Sequence, residues 1–130
     1  MSEITRTPVV TTGAPTPKYS YSQGIVTGDL LFVAGQVGIE AETRAQAPDF
    51  ESKVRQALAN VAAIAEAAGT SLNNAVRIGV FLEDLNQIEV MDAIYREHFE
   101  EPRPSRTTVQ AFLRGQEVEI DAVILVPRNE

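Results

Sequence analysis

Val76-Arg77-Ile78-Gly79-Val80-Phe81-Leu82-Glu83 places Val76, Ile78, Val80 and Leu82 at every second position, the period with which side chains alternate across a β-strand. Helical spacing lies on either side of it. Upstream, Pro48-Asp49 forms a helix start, and Val54, Leu58, Val61, Ala62, Ala65 and Ala68 recur at three- and four-residue intervals until Gly69 stops the run. This predicts a helix over 48–68, whose many alanines permit close approach to a sheet. Downstream, Ile88, Met91, Ile94 or Tyr95, and Phe99 form one apolar face of a second helix from about Gln87, ended by the helix-breaking Pro102 and Pro104. A strand between two covering helices is the signature of an α/β layer structure.

Two further pairs of strands flank this unit. Residues 21–26 and 30–34 are β-favouring runs separated by Thr27-Gly28-Asp29, a hairpin turn signal, with Gly35-Gln36 ending the second run. Residues 107–112 and 118–126 are joined by Leu113-Arg114-Gly115-Gln116. The expected order is ββαβαββ, an α/β (α+β) two-layer sandwich formed by one domain over 19–127, preceded by a proline-punctuated arm over 1–18. In the last strand Val118, Ile120, Ala122, Ile124 and Val126 share the face the helices cover. The other face carries Asp121, Val123 and Leu125, together with Arg106 or its neighbours. Apolar residues on both faces of that strand predict a homo-oligomer.

With 130 residues, 44% apolar and 22% charged, the chain is long enough to bury a core without disulfide or metal staples. The absence of cysteine excludes thiolate nucleophiles and Cys-ligated metals, and a single histidine leaves no two-histidine zinc site. A formal net charge of −7 opposes general nucleic-acid binding. No leader-like or membrane-spanning run is present, so a cytoplasmic, membrane-free protein is expected. No glycine-rich phosphate motif supports nucleotide hydrolysis.

The chemistry concentrates in Pro102-Arg103-Pro104-Ser105-Arg106-Thr107-Thr108 and in Glu117-Val118-Glu119-Ile120-Asp121. A guanidinium is planar, permanently charged and able to hold a carboxylate with two parallel N–H bonds. Arg106 is therefore the candidate grip on a small carboxylate substrate, with Asp121 managing a water; an ordinary ion pair and a solvated strand carboxylate are the bland readings. Tyr21 either lines a cleft or packs with its hydroxyl satisfied. Gly35 and Gln36 are either a bulge or a place where a ligand meets backbone N–H groups. His98, in the last turn of a helix, is favoured there by the dipole and is assigned no role.

With these residues in place, the chain resembles the Rid family, also called YjgF-like proteins, the reactive-intermediate enamine/imine deaminases. The resemblance is carried by Tyr21-Ser22-Gln23, Gly35-Gln36, Arg55-Gln56-Ala57-Leu58-Ala59-Asn60, Ala67-Ala68-Gly69, Val80-Phe81-Leu82-Glu83-Asp84-Leu85-Asn86, Pro104-Ser105-Arg106-Thr107 and Val118-Glu119-Ile120-Asp121-Ala122. It implies a chorismate-mutase-like fold assembled as a homotrimer with clefts between subunits, no cofactor, and hydrolysis of 2-imino acids such as 2-iminopropanoate and 2-iminobutanoate to 2-keto acids and ammonia. It also implies that Arg106 holds the substrate carboxylate, with Tyr21, Gly35, Gln36 and Asp92 about the substrate and Asp121 in the place of the usual glutamate. The family pattern is broken at Tyr19-Ser20, Ala34, Asp92, Asp121 and Thr108. These departures keep open a hydrolytic deaminase or ring-opening enzyme acting on another carboxylate metabolite, a non-catalytic ligand-binding protein, and an endoribonuclease-like protein in which Arg103, Arg106 and Arg114 contact phosphate.

Overall fold

The computed structural model describes residues 5–127. The elements are β1 (Thr7–Val9), β2 (Gly24–Thr27), β3 (Leu30–Val37), α1 (Phe50–Ala67), β4 (Ala75–Leu82), α2 (Ile88–Arg96), β5 (Ser105–Gln110) and β6 (Val118–Leu125). They form one six-stranded sheet in the order β1-β2-β3-β6-β4-β5, with α1 and α2 packed on one face. The two-layer α+β class expected from the sequence is the one observed. β6 pairs antiparallel with β3 on one side and with β4 on the other, whereas β4 and β5 run parallel. Parallel neighbours need a crossover connection, and α2 supplies it.

Helix α1 begins where the sequence marks it. The Asp49 carboxylate accepts a hydrogen bond from Ser52 N at 2.8 Å, and the Ser52 hydroxyl accepts one from Asp49 N at 3.3 Å, which satisfies two end donors reciprocally. At the other end Gly69 takes a φ of 85°, Thr70 N donates to Ala65 O and Gly69 N donates to Glu66 O. This pair of bonds closes the helix because glycine accepts the left-handed conformation without a steric penalty. Between the caps, Val54, Ala57, Leu58, Val61, Ile64 and Ala65 are buried against Leu31, Ile78, Val80, Ile120 and Ile124. Asn60, also buried, donates to Val37 O at 3.1 Å and Ile39 O at 2.9 Å, tying α1 to the end of β3.

Three local expectations are corrected. The arm is not only an approach to the fold: Thr7–Val9 adds an edge strand beside β2, so the strand order gains a β1 at its start. The Gln23 side chain secures that strand, accepting from Thr11 N and donating to the carbonyls of Thr11, Ala14 and Pro15. Gly35 and Gln36 lie within β3 rather than after it, where the pairing with β6 shifts register between Val33 and Gln36. A similar shift between Ala75 and Arg77 turns Val76 outward, so that Ala75, not Val76, precedes Ile78 on the buried face. A bulge inserts one residue and changes the parity of everything before it.

Leu58 is fully buried at the contact of α1 with the sheet. Leu58→Ala is expected to lower unfolding stability by about 2–5 kcal/mol, combining lost burial with the cavity left behind. The check is urea denaturation, in which the midpoint falls while the slope is unchanged.

Candidate functional site

β5 carries little apolar alternation of its own, and its orientation is imposed by its parallel register with β4. Arg106 lies opposite Ile78, which is fully buried, while Thr107 lies opposite Gly79, which also pairs with Asp121. Arg106 therefore rises on the helix-covered side of the sheet. There its guanidinium stacks over the Tyr95 ring, 4.6 Å from the centroid, and donates to Asp92 Oδ1 at 2.8 Å. The second carboxylate oxygen of Asp92 accepts from Arg96 at 2.9 Å. Tyr95 is in turn stacked against Phe99, with ring centroids 4.4 Å apart. A cation over an aromatic face is attracted by the ring quadrupole, and the stack limits the rotamers open to the arginine.

The two arginines hold the Asp92 carboxyl below the usual aspartate range, the hydrogen bond from Arg106 having the largest effect. Burial pushes the Tyr95 phenol up, against the pull of Arg106. The Thr108 hydroxyl is buried with no hydrogen-bond partner among the described residues. Beside Arg106 opens a cleft of about 300 Å³ lined by Asp92, Tyr95, Arg96, Arg103, Pro104 and Arg106. This arrangement can orient a small anion: Arg106 uses one N–H on Asp92, and its stacked guanidinium retains further donors at a fixed height above Tyr95.

Of the residues selected from sequence, Arg106 and Asp92 are brought together and the others are not. Asp121 lies on the opposite face of the sheet, so the shared face expected for it applies to Ser105 and Thr107, the neighbours of Arg106, rather than to Arg106. Tyr21 is half exposed in the loop before β2, because the strand starts only at Gly24. Gln36 is buried opposite Ile120 on the helix side, and Gly35 sits in the β3 irregularity. Tyr95 and Arg96 carry roles the sequence reading missed. The apolar spacing of α2 marks Tyr95 as a core residue, and its position three residues after Asp92 on a helix is the signal that both meet the same neighbour.

The open face has its own charged group. Asp121 accepts a hydrogen bond from Arg77 at 3.3 Å, and Glu119 lies two residues earlier on the same face. Both acids fill space left by glycines. A Cβ on Gly79 would come within 2.2 Å of Asp121 Oδ1, and one on Gly35 within 2.6 Å of Glu119 Oε2. Glu117, just before β6, reaches Lys53 of α1 at 2.5 Å instead. Around the two acids are the exposed apolar side chains Phe32, Val109 and Leu125.

Burial, and secondarily the charge of Asp121, raises the Glu119 carboxyl above its ordinary value of 4.5. A pKa higher in the folded than in the unfolded chain means that ionised Glu119 opposes folding at neutral pH, and that this penalty is absent below the unfolded value. Glu119→Gln is accordingly expected to raise the thermal midpoint at about pH 7, with the gain disappearing as pH falls to about 4. Parallel melts of the two proteins across that range provide the check.

The family model described as Endoribonuclease L-PSP matches residues 11–126. A RutC family protein of Pyrococcus horikoshii is 39% identical over 118 residues, covering 88% of this chain and 94% of the relative. The 2-iminobutanoate/2-iminopropanoate deaminase of Mus musculus is 35% identical over 126 residues, covering 95% and 93%. The crystal structure of RidA from an Antarctic Psychrobacter superposes with a TM-score of 0.89 at 34% identity, covering 93% of this chain and all of that one. With the fold and these matches in agreement, the chain belongs to the Endoribonuclease L-PSP family, which includes the YjgF, RutC and Rid proteins.

Proposed function

We propose that this protein hydrolyses 2-imino carboxylic acids, the tautomers of enamine acids, to 2-keto acids and ammonia, with 2-iminopropanoate and 2-iminobutanoate among its substrates. The observation that carries this reading is Arg106, held over Tyr95 by stacking and by Asp92 at the mouth of a small cleft. The deaminase name of the mouse relative supports it. Arg106 binds the substrate carboxylate and sets the position of the adjacent C=N bond. Water adds to the imine carbon, and the resulting carbinolamine loses ammonia to leave the C=O group. Free imines hydrolyse unaided, so positioning a water against the imine carbon is most of what is required, and no cofactor enters the scheme.

Asp121 is the proposed holder of that water. Since it lies on the far face of its own sheet, it serves this role only toward the cleft of another subunit. The homotrimer belongs to the same proposal. Glu119, Asp121 and the apolar residues beside them form the surface on which a second copy would sit, and a mixed apolar and charged patch suits such an interface. In this reading the protein needs neither nucleic acid nor membrane, consistent with a net charge of −7.

A coupled assay tests the reaction: a dehydratase generates the imino acid, and keto-acid release is followed with and without this protein. Acceleration over the spontaneous rate is expected, and Arg106→Ala is expected to remove it while leaving the fold intact. Arg106→Lys should fail nearly as badly, because a point charge lacks the two-pronged geometry. Retention of most activity by Arg106→Ala would reject the clamp.

The assembly makes a separate prediction. Light scattering should report three subunits. Arg106→Ala and Asp121→Asn chains, each inactive alone, should regain activity in about a quarter of their sites when co-expressed in equal amounts, as independent sites built from two neighbouring chains require. A fully active monomer, or a mixture as inactive as its components, counts against the shared site.

A further inference from the structure

Arg106 has more cationic company than a monocarboxylate needs. Its cleft is lined by three guanidiniums, those of Arg96, Arg103 and Arg106, against the single carboxylate of Asp92. The two oxygens of that carboxylate are divided between Arg106 and Arg96. Arg103 contacts Glu101, a highly exposed residue outside the cleft lining. Such an exposed pair contributes little and gives way readily to a better-placed anion. An excess of positive charge is thus gathered at one opening of a chain whose formal net charge is −7. Like charges brought together repel, and the arrangement costs free energy until an anion enters.

A monocarboxylate on Arg106 leaves Arg96 and Arg103 without a ligand anion of their own, and the Asp121 proposed to enter from a second subunit is committed to the water beside the imine carbon. A second carboxylate about two or three carbons away would lie toward Arg96 and Arg103, which project from the end of α2 and from the segment before β5. The cleft volume of about 300 Å³ is at the small end of ligand pockets and suits a short dicarboxylate.

We infer that the cleft selects dicarboxylic substrates, 2-imino dicarboxylates and the 2-keto dicarboxylates they yield, with one carboxylate on Arg106 and the other between Arg96 and Arg103. This rests on the reading of Arg106 as a carboxylate clamp. It adds a specificity role for two arginines that the hydrolysis does not otherwise require. Guanidiniums on both sides allow two-pronged contact at each end, which fixes the length of the ligand as well as its charge.

Equilibrium binding separates this inference from the question of turnover. The probes are 2-oxoglutarate, a five-carbon keto dicarboxylate, and 2-oxobutanoate, titrated calorimetrically into the intact protein at one ionic strength. For the unaltered chain, 2-oxoglutarate is expected to bind at least about tenfold more tightly. The double variant Arg96→Gln/Arg103→Gln is expected to abolish that advantage, 2-oxoglutarate affinity falling at least about tenfold further than 2-oxobutanoate affinity. Equal affinities in the unaltered chain, or an equal loss for both probes in the double variant, overturns the dicarboxylate preference. If both probes depend on Arg106 but bind equally, only the preference is lost and the clamp stands. If Arg106→Ala alters neither affinity, the clamp fails and the inference falls with it.

Discussion

Side-chain parity on the central strand governs where everything chemical in this molecule can be. β6 is hydrogen-bonded on both edges, so its residues are fixed in register with β3 and β4 at once. Val118, Ile120, Ala122 and Ile124 must face the helices, and Glu119, Asp121, Val123 and Leu125 must face away. β4 passes the same parity to β5, where it sends Arg106 toward α2 and Thr107 toward the open face. A slip of one residue would bury the acids and expose the core, a cost that no local rearrangement offsets. The separation of Arg106 from Asp121 is therefore a consequence of the hydrophobic pattern of β6 rather than a detail of side-chain placement.

The same pattern accounts for what was legible in the sequence. α1 has a capping box, a closing glycine and a sustained apolar stripe, and its observed limits lie within two residues of the expected ones. β6 alternates cleanly and was legible for the same reason. Thr7–Val9 carries no such signal, since its pairing depends on the Gln23 amide twelve residues from Thr11. The bulges at Val33/Gln36 and Ala75/Arg77 were not legible in detail, because the residue taken out of register is chosen by the partner strand. β5 shows the limit most clearly. Ser105-Arg106-Thr107-Thr108-Val109-Gln110 is polar on both sides, so its facing is decided entirely by β4, and the sequence left open whether Arg106 or its neighbours shared a face with Asp121.

Much of the motif set that marks the family holds the frame rather than the chemistry. Gln23 ties down the arm, and Asn60 joins α1 to β3. Glu83 accepts from the backbone N–H groups of Leu113 and Glu117, which fixes the loop leading into β6 and holds its own carboxyl below the usual range. Each is a polar side chain satisfying backbone groups that a turn or an irregular strand end leaves unpaired, and losing such a partner costs more than the bond itself gains. The carry-over of function from motif to chain thus concentrates on Arg106, whose partners are side chains.

Asp92 shapes what Arg106 can do. A neutral amide in its place would leave Arg106 and Arg96 facing each other across the mouth of the cleft with no anion between them. The carboxylate bridges the two cations, links α2 to β5 and keeps Arg106 from turning away from the cleft. It also competes with any carboxylate that arrives. That competition is mild, because Asp92 is about one-third exposed and water screens the pair. An entering carboxylate need not displace Asp92, since the guanidinium has five N–H donors and Asp92 takes one from it. The stack on Tyr95 matters more than the pair itself, because it holds those remaining donors in a plane, and planar alignment is what separates an arginine that binds a carboxylate from one that merely neutralises it.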